Sequence, residues 1–169
     1  EPTAPRAEQS FAGIPTPRSA YVTTLAGFTP PDLRYPLVVK PNFEGSSKGI
    51  TQDSVAENVD SRKKEVAEAL EKYPAGLLVE EFIVGKDLTV PFLEYVDNDF
   101  DGVLSPVEYV VDRQYTDGKK FSIYDYALKT KFYESVSVKA PAAITPEMSE
   151  RLRKVARTIV QKLDCHDLG

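Results

Sequence analysis

The stretch Pro36-Leu37-Val38-Val39-Lys40-Pro41-Asn42-Phe43-Glu44-Gly45-Ser46-Ser47-Lys48-Gly49-Ile50 constrains this chain more than any other. It opens with a short apolar run, as a buried strand does. The run ends on Lys40. Gly45, Ser46, Ser47 and Gly49 follow within a few residues. Glycine lets backbone come close to a ligand, and N–H groups and hydroxyls in such a loop suit phosphate oxygens. A lysine at the strand end adds a cation for the same oxygens. The spacing is neither G-x-x-x-x-G-K-[ST] nor G-x-G-x-x-G. By itself the segment is equally a Ser/Gly turn between two elements, with a solvated Lys40.

At 169 residues the chain makes one domain or two small lobes. Apolar residues make up 41% and charged residues 28%, enough to bury a core. A net charge of −5 argues against nucleic acid or an anionic membrane as partner. No apolar run reaches the length of a membrane span, and no signal-peptide pattern opens the chain. Cys165 is the one cysteine and His166 the one histidine. No internal disulfide is possible, which fits a cytoplasmic location, and a zinc site would need mostly carboxylate ligands. The two residues are adjacent, but nothing in the sequence places a third, orienting group beside them, so no nucleophile pair is assigned.

Taken in order, Ala4 to Ala12 has a helical pattern stopped by Gly13, and Ser19 to Thr23 reads as a strand. Ser54 to Tyr73 reads as a helix with Val55, Val59, Val66, Ala69 and Leu70 as its apolar stripe and Ser61 to Glu71 facing solvent. Leu77 to Ile83 is a strand running into a connector, Gly85-Lys86-Asp87, and a further strand, Leu88 to Val96. Asp117-Gly118 tips a polar turn. Met148 to Leu163 is a helix with Thr145 as N-cap and Pro146 at its first position, Leu152, Val155, Ile159, Val160 and Leu163 forming its apolar face. Asp97 to Glu108 matches the calcium EF-hand spacing, with acidic residues at loop positions 1, 3 and 5, glycine at 6 and glutamate at 12. EF-hand loops join helices, however, and both flanks here read as strands. The segment is therefore taken as an acidic hairpin tip.

Leu-Val-Val-Lys-Pro followed by Glu-Gly-Ser-Ser-x-Gly resembles the D-alanine–D-alanine ligase branch of the ATP-grasp family. Ala-Gly-Ile-Pro-Thr-Pro at 12–17 and Leu-Leu-Val-Glu-Glu-Phe-Ile at 77–83 agree in order. So do Phe-Ser-Ile-Tyr-Asp-Tyr-Ala-Leu-Lys at 121–129 and the helix-end phrase at 163–169. The resemblance implies an α/β (α+β) ATP-grasp fold of two lobes, 1–77 and 78–169, with ATP between them. It implies that Lys40 and Lys129 neutralise phosphate charge, and that Ser46 and Ser47 cradle the phosphates and border the substrate, with Ser46 and Lys129 acting in catalysis. Glu80 and the backbone of Glu81 to Ile83 would meet the adenine edge, and Ile123, on an aromatic strand, would form one wall of its slot. Asp87, where the family usually has glutamate, would hold the ribose hydroxyls. Adenine needs an acceptor for its amino group and a ribose diol suits a carboxylate.

The chain departs from the family elsewhere too. Pro2 stands where a nucleotide-contacting lysine is usual. Thr130 follows Lys129 where the ligases have a substrate-enclosing tyrosine. The Gly-rich N-terminal lobe is missing, and the arginine, aspartate, glutamate and asparagine that serve the magnesium site are expected beyond Gly169, as in a piece of a longer enzyme. Such a chain alone should bind nucleotide weakly and turn over poorly. The implied activity is ATP-dependent ligation of two amino acids through an acyl phosphate, with ATP and Mg2+, in peptidoglycan biosynthesis, by a possible homodimer. The alternative is a non-catalytic module that binds nucleotide, or calcium at Asp97–Glu108.

Overall fold

A computed structural model describes residues 13–26, 32–116 and 120–169. The expected helix at Ala4–Ala12, the proline at position 2 and the Asp117-Gly118 tip lie outside the described residues. The chain divides into two compact units that are not consecutive stretches. Pro15–Val84 and Arg113–Ser135 belong to the first, and Gly85–Asp112 and Val136–Gly169 to the second.

The first unit is built on an antiparallel sheet of order β1-β4-β2-β3. Its strands are β1 (Ser19–Val22), β2 (Leu37–Pro41), β3 (Val55–Ala56) and β4 (Leu77–Glu81). The Leu37-Val38-Val39 run forms β2 as expected, and β4 beside it is buried at all five positions. Side chains alternate between the two faces of a strand. Leu37 and Val39 of β2, Leu77 and Val79 of β4 and Ala20 and Val22 of β1 share one face and form the core with Val66. Val66 comes from helix α1 (Val59–Lys72), which packs against β2, β3 and β4. The opposite face carries Val38, Leu78, Lys40 and Glu80.

Helix α1 begins later than the apolar stripe suggests. Val55 and Ala56 pair with Val38 and Leu37 as the edge strand β3, so they are not helical. Asn58 is the N-cap: its side chain accepts from Asp60 N–H and Ser61 N–H, and the Ser61 hydroxyl accepts from the Asn58 N–H. Val59 is 46% exposed, whereas Arg62, placed by sequence on the solvent face, is buried. The aromatic strand expected at Ile123 is also different. Asp125 caps a short helix, α2 (Tyr126–Thr130), by accepting the Leu128 N–H at 2.9 Å. Residues 121–124 approach it without regular structure.

The second unit is an antiparallel sheet of order β5-β6-β7 with one long helix. It comprises β5 (Asp87–Thr89), β6 (Val107–Val111), β7 (Val136–Lys139) and α3 (Pro146–Lys162). Strand β5 ends well before Val96. Pro91, which lacks an N–H, follows it, and Phe92 and Leu93 make only isolated bridges to Val103 and Leu168. Thr145 caps α3 by accepting the Met148 N–H, with Pro146 at its start, as expected. Arg153 of α3 lies over the Phe100 ring, 3.7 Å from its centroid, and donates to the Val103 carbonyl at 2.8 Å, which anchors the acidic tip.

The last residues pair with 92–94. Phe92 N–H donates to Gly169 O at 2.7 Å and Glu94 N–H to Asp167 O at 2.9 Å. Glu94 also accepts the Asp167 N–H at 2.7 Å and lies 3.1 Å from His166 Nδ1, while Asp164 lies 3.3 Å from Nε2. The fold thus gives His166 the orienting carboxylate that the sequence does not show. The Glu94 hydrogen bond raises the His166 pKa above its ordinary value, and the Asp167 N–H, then His166, lowers that of Glu94. A raised histidine pKa stabilises fully below about 6.5, and the contribution disappears as pH rises through the folded value. Protection of the Gly169 and Asp167 amides against hydrogen exchange, relative to intrinsic rates, is expected to fall as pH rises above about 6.5. For an exposed pair the drop should be about 1.5- to 5-fold. His166→Asn should flatten it, and a profile identical in both proteins would show that the pairing is indifferent to His166.

Candidate functional site

Strand β2 delivers Lys40 at its solvent end, and β4 runs antiparallel beside it with Val38 opposite Glu80 and Lys40 opposite Leu78. Lys40 and Glu80 are therefore diagonal neighbours on the polar face and form an ion pair. Glu80 is buried and the Lys40 side chain is 23% exposed, so the cation opens outward while its counter-ion stays within.

Residues 42–50 fold back beyond Lys40. Lys48 N–H donates to Gly45 O and Ile50 N–H to Ser47 O, both at 3.0 Å, and Asn42 N–H reaches Gly76 O at 3.1 Å. Ser46, Ser47 and Gly49 adopt positive φ, at 52°, 61° and 75°. Such a tight run of turns exposes the Ser46 side chain and leaves a cavity of about 180 Å³ lined by Lys40, Asn42, Ser46, Ser47, Lys48 and Leu78. At about 30 Å³ per water it has room for about six, the scale of a phosphate group. Wider hollows of about 430 and 510 Å³ lie along α3 in the second unit and are lined by none of the candidate residues.

The segment 121–130 meets this loop within the same unit. Ser47 Oγ donates to Tyr124 O at 3.2 Å, so its hydroxyl proton is engaged by protein. Gln52 Nε2 donates to the Ile123 carbonyl at 2.6 Å. Lys129 sits on α2, exposed, with Nζ 5.0 Å from the centroid of the Tyr124 ring.

Glu81 is tied down through its side chain. Its carboxylate accepts the Arg34 backbone N–H at 3.0 Å and the Arg34 guanidinium at 3.1 Å, with Arg18 at 3.7 Å. The Arg34 guanidinium holds its pKa below the ordinary carboxylate range. Its N–H donates to Arg18 O and that of Phe82 to Pro36 O, both at 2.9 Å, so these two donors belong to the sheet. Ile83, 66% exposed, begins the connector that leaves it. Asp87 opens β5 opposite Tyr109 and belongs to the second unit. Lys40, Ser46, Ser47, Glu80, Glu81, Ile83, Ile123 and Lys129 all belong to the first.

The calcium reading of Asp97–Glu108 is not carried. Glu108, at loop position 12, is buried in β6, where it accepts from Lys86 Nζ at 2.9 Å and from the Ala143 N–H at 3.3 Å. Lys86 holds its pKa low. Asp101 pairs with Arg157, and the loop runs between strands and bridges rather than helices. Sequence reasoning passed over Arg18, Arg34, Gln52 and Asp125. Only Asp125 has a local signal, as an aspartate before a helix-forming run.

The family described as D-ala D-ala ligase C-terminus matches residues 22–169. A D-alanine–D-alanine ligase of Aromatoleum aromaticum is 33% identical over 93% of this chain, which spans 45% of that relative. The solved VanG D-Ala:D-Ser ligase from Enterococcus faecalis aligns with a TM-score of 0.63 at 27% identity, covering 93% of this chain and 43% of that one. A D-alanine–D-alanine ligase from Bacillus anthracis complexed with ATP shares the fold with a TM-score of 0.61 at 18% identity, over 96% of this chain and 46% of that one. The chain thus spans less than half the length of these relatives. The sheet and loop just described are the ATP-grasp fold, and the chain belongs to the D-ala D-ala ligase C-terminus family.

Proposed function

We propose that this chain is the nucleotide-binding part of an ATP-dependent ligase that joins two amino acids. The observation that carries the reading is the cavity under the Gly/Ser loop, with Lys40 at its wall and Lys129 on the segment tied to the loop. Lys40 and Lys129 would neutralise charge on the phosphates as it shifts during transfer, with Ser46 and Ser47 bordering them. Lys40 would exchange Glu80 for a phosphate oxygen. Glu80 and the connector at Ile83 would then meet the adenine edge, Ile123 would flank it, and Asp87 would hold the ribose. In the reaction a carboxylate oxygen takes the terminal phosphoryl group of ATP, giving an acyl phosphate and ADP. The amine of the second amino acid attacks the acyl carbon, and phosphate and a proton leave. Among the described residues no group of three His, Cys, Asp or Glu side chains is placed to hold a metal ion, and no step is assigned to magnesium. An amino-acid partner and a homodimer complete the proposal.

Calorimetric titration of the chain with ATP tests it. A charge-assisted contact is worth about 1.5–3 kcal/mol, so Lys40→Ala should weaken binding about 10- to 150-fold. Lys129→Ala, at an exposed position, should weaken it about 10-fold while leaving the melting temperature unchanged. ATP affinity unaltered in both variants would end the assignment.

A further inference from the structure

Gln52 lies three residues beyond Gly49, between the Gly/Ser loop and β3. Its side chain makes three bonds to one short segment. Oε1 accepts the Ile123 N–H at 3.3 Å, and Nε2 donates to the Ile123 carbonyl at 2.6 Å and to Asp125 Oδ2 at 2.9 Å. One amide therefore pairs with both polar groups of a single backbone residue, as a neighbouring strand would. Asp125 is 3% exposed and uses its other oxygen to cap α2 through the Leu128 N–H, with the Tyr115 hydroxyl 3.5 Å away.

The orientation of the amide follows from its partners. Turned over, Nε2 would face an N–H, and Oε1 would face a carbonyl and a carboxylate at once. The node also selects the residue type. An ionised glutamate has no donor for the Ile123 carbonyl or for Asp125, a lysine has no acceptor for the Ile123 N–H, and methionine has the length but no N–H. Because the node is part-buried, with Asp125 only 3% exposed, an unmet partner there is incompletely repaid by water.

What the node holds is the footing of α2. Lys129 lies four residues after Asp125 on that helix, and Ile123 lies two residues before it. The lysine stem is long and exposed, so the place from which it reaches is set by where α2 starts. Ser47 Oγ on Tyr124 O is a second tie between the same two segments, but its single bond leaves rotation free. The Gln52 amide removes that freedom.

We infer that Gln52 is a positioning residue, whose amide fixes the Ile123 backbone and the start of α2 against the Gly/Ser loop so that the Lys129 ammonium serves the phosphates bound there. The inference rests on the nucleotide reading above. It assigns a role to a residue that touches no part of the nucleotide.

The test is a double-mutant cycle on the full chain, read by calorimetric titration with ATP and by thermal melting. Gln52→Met and Lys129→Ala should each weaken ATP binding about 10-fold. The double variant should be no weaker than either single one, because a misplaced lysine has nothing left to lose. A residue that merely stabilises the fold would give losses that multiply, to about 100-fold, and that result would overturn the inference. So would unchanged ATP affinity in a folded Gln52→Met chain. Should Gln52→Met fail to fold, Gln52→Glu keeps the length and one acceptor. Its deficit, taken relative to the parent at each pH, should shrink below about pH 5 as the new carboxyl regains an O–H donor; a deficit constant with pH would count against the inference. A parent chain that binds no ATP would overturn the nucleotide reading and this inference with it, whereas Lys40-dependent binding with a multiplicative Gln52–Lys129 pair would overturn the inference alone.

Discussion

Leu77→Ala is expected to remove roughly 2–5 kcal/mol of stability, the range for deleting a fully buried leucine side chain. Leu77 has no exposed surface and opens β4 between Val22 of β1 and Pro41 of β2. Its neighbours in the core, Leu37, Val39, Val66 and Val79, are themselves almost fully buried, and the strands that carry most of them are hydrogen-bonded to β4. They cannot all collapse into the gap. Natural domains are stable by about 5–15 kcal/mol, so the loss is a large fraction of the whole. Urea unfolding should show a lower midpoint with an unchanged slope. Leu25→Ala, at a 45% exposed position, should stay within about 0.5 kcal/mol. A loss below about 1 kcal/mol for Leu77→Ala would mean that β4 is not the centre of the core.

Gly49→Ala is expected to disturb stability and nucleotide affinity together. Gly49 has φ +75°, and a Cβ there would lie 2.5 Å from Pro41 Cγ and 2.8 Å from Tyr73 Cε2. The left-handed backbone costs about 1–2 kcal/mol for alanine and the crowding about 1–3 more. Pro41 does not give way easily. Pro41 is paired in β2 opposite Leu77, and the Tyr73 N–H closes the end of α1 on Ala69 O. The strain must pass to the loop or to Pro41, the residue after Lys40. ATP affinity should fall about 10-fold, with a lower melting temperature. Gly45→Ala is the control for stability: no protein atom lies within 4 Å of its would-be Cβ, and the melting temperature should hold. Equal behaviour of the two variants would refute the tight packing of the loop on Pro41 and Tyr73.

The sequence made legible what local chemistry decides. Thr145 and Pro146 announce α3 because an N-cap and a proline at the first turn act within four residues. Leu37 to Val39 announce β2 because a buried strand must be apolar on both faces. The start of α1 was hidden, because Val55 and Ala56 become a strand only through pairing with β2. The Gly/Ser loop after β2 and the lysine at the strand's end were legible, but the partners of their side chains were not. The Glu81 carboxylate is held by Arg34, 47 residues away in sequence, and no local pattern announces that pair. Glu108 completes a calcium pattern until Lys86 is seen beside it. Gln52 has no local signal, since its meaning lies in Ile123 and Asp125, more than 70 residues further on.

The interleaving of the two units has a consequence for how the protein is made. All four strands of the first sheet have been synthesised by Glu81, but Ile123, Tyr124 and Asp125 follow only after the chain has passed through Gly85–Asp112. At about 5–20 residues per second, those forty or so residues take roughly two to eight seconds. Over that interval a nascent chain can pair β1 to β4 and bury Val66, yet Ser47 and Gln52 have nothing to bind. Ser47 and Gln52 therefore gain their ties to Tyr124 and Ile123 only after the sheet that carries the loop has been made.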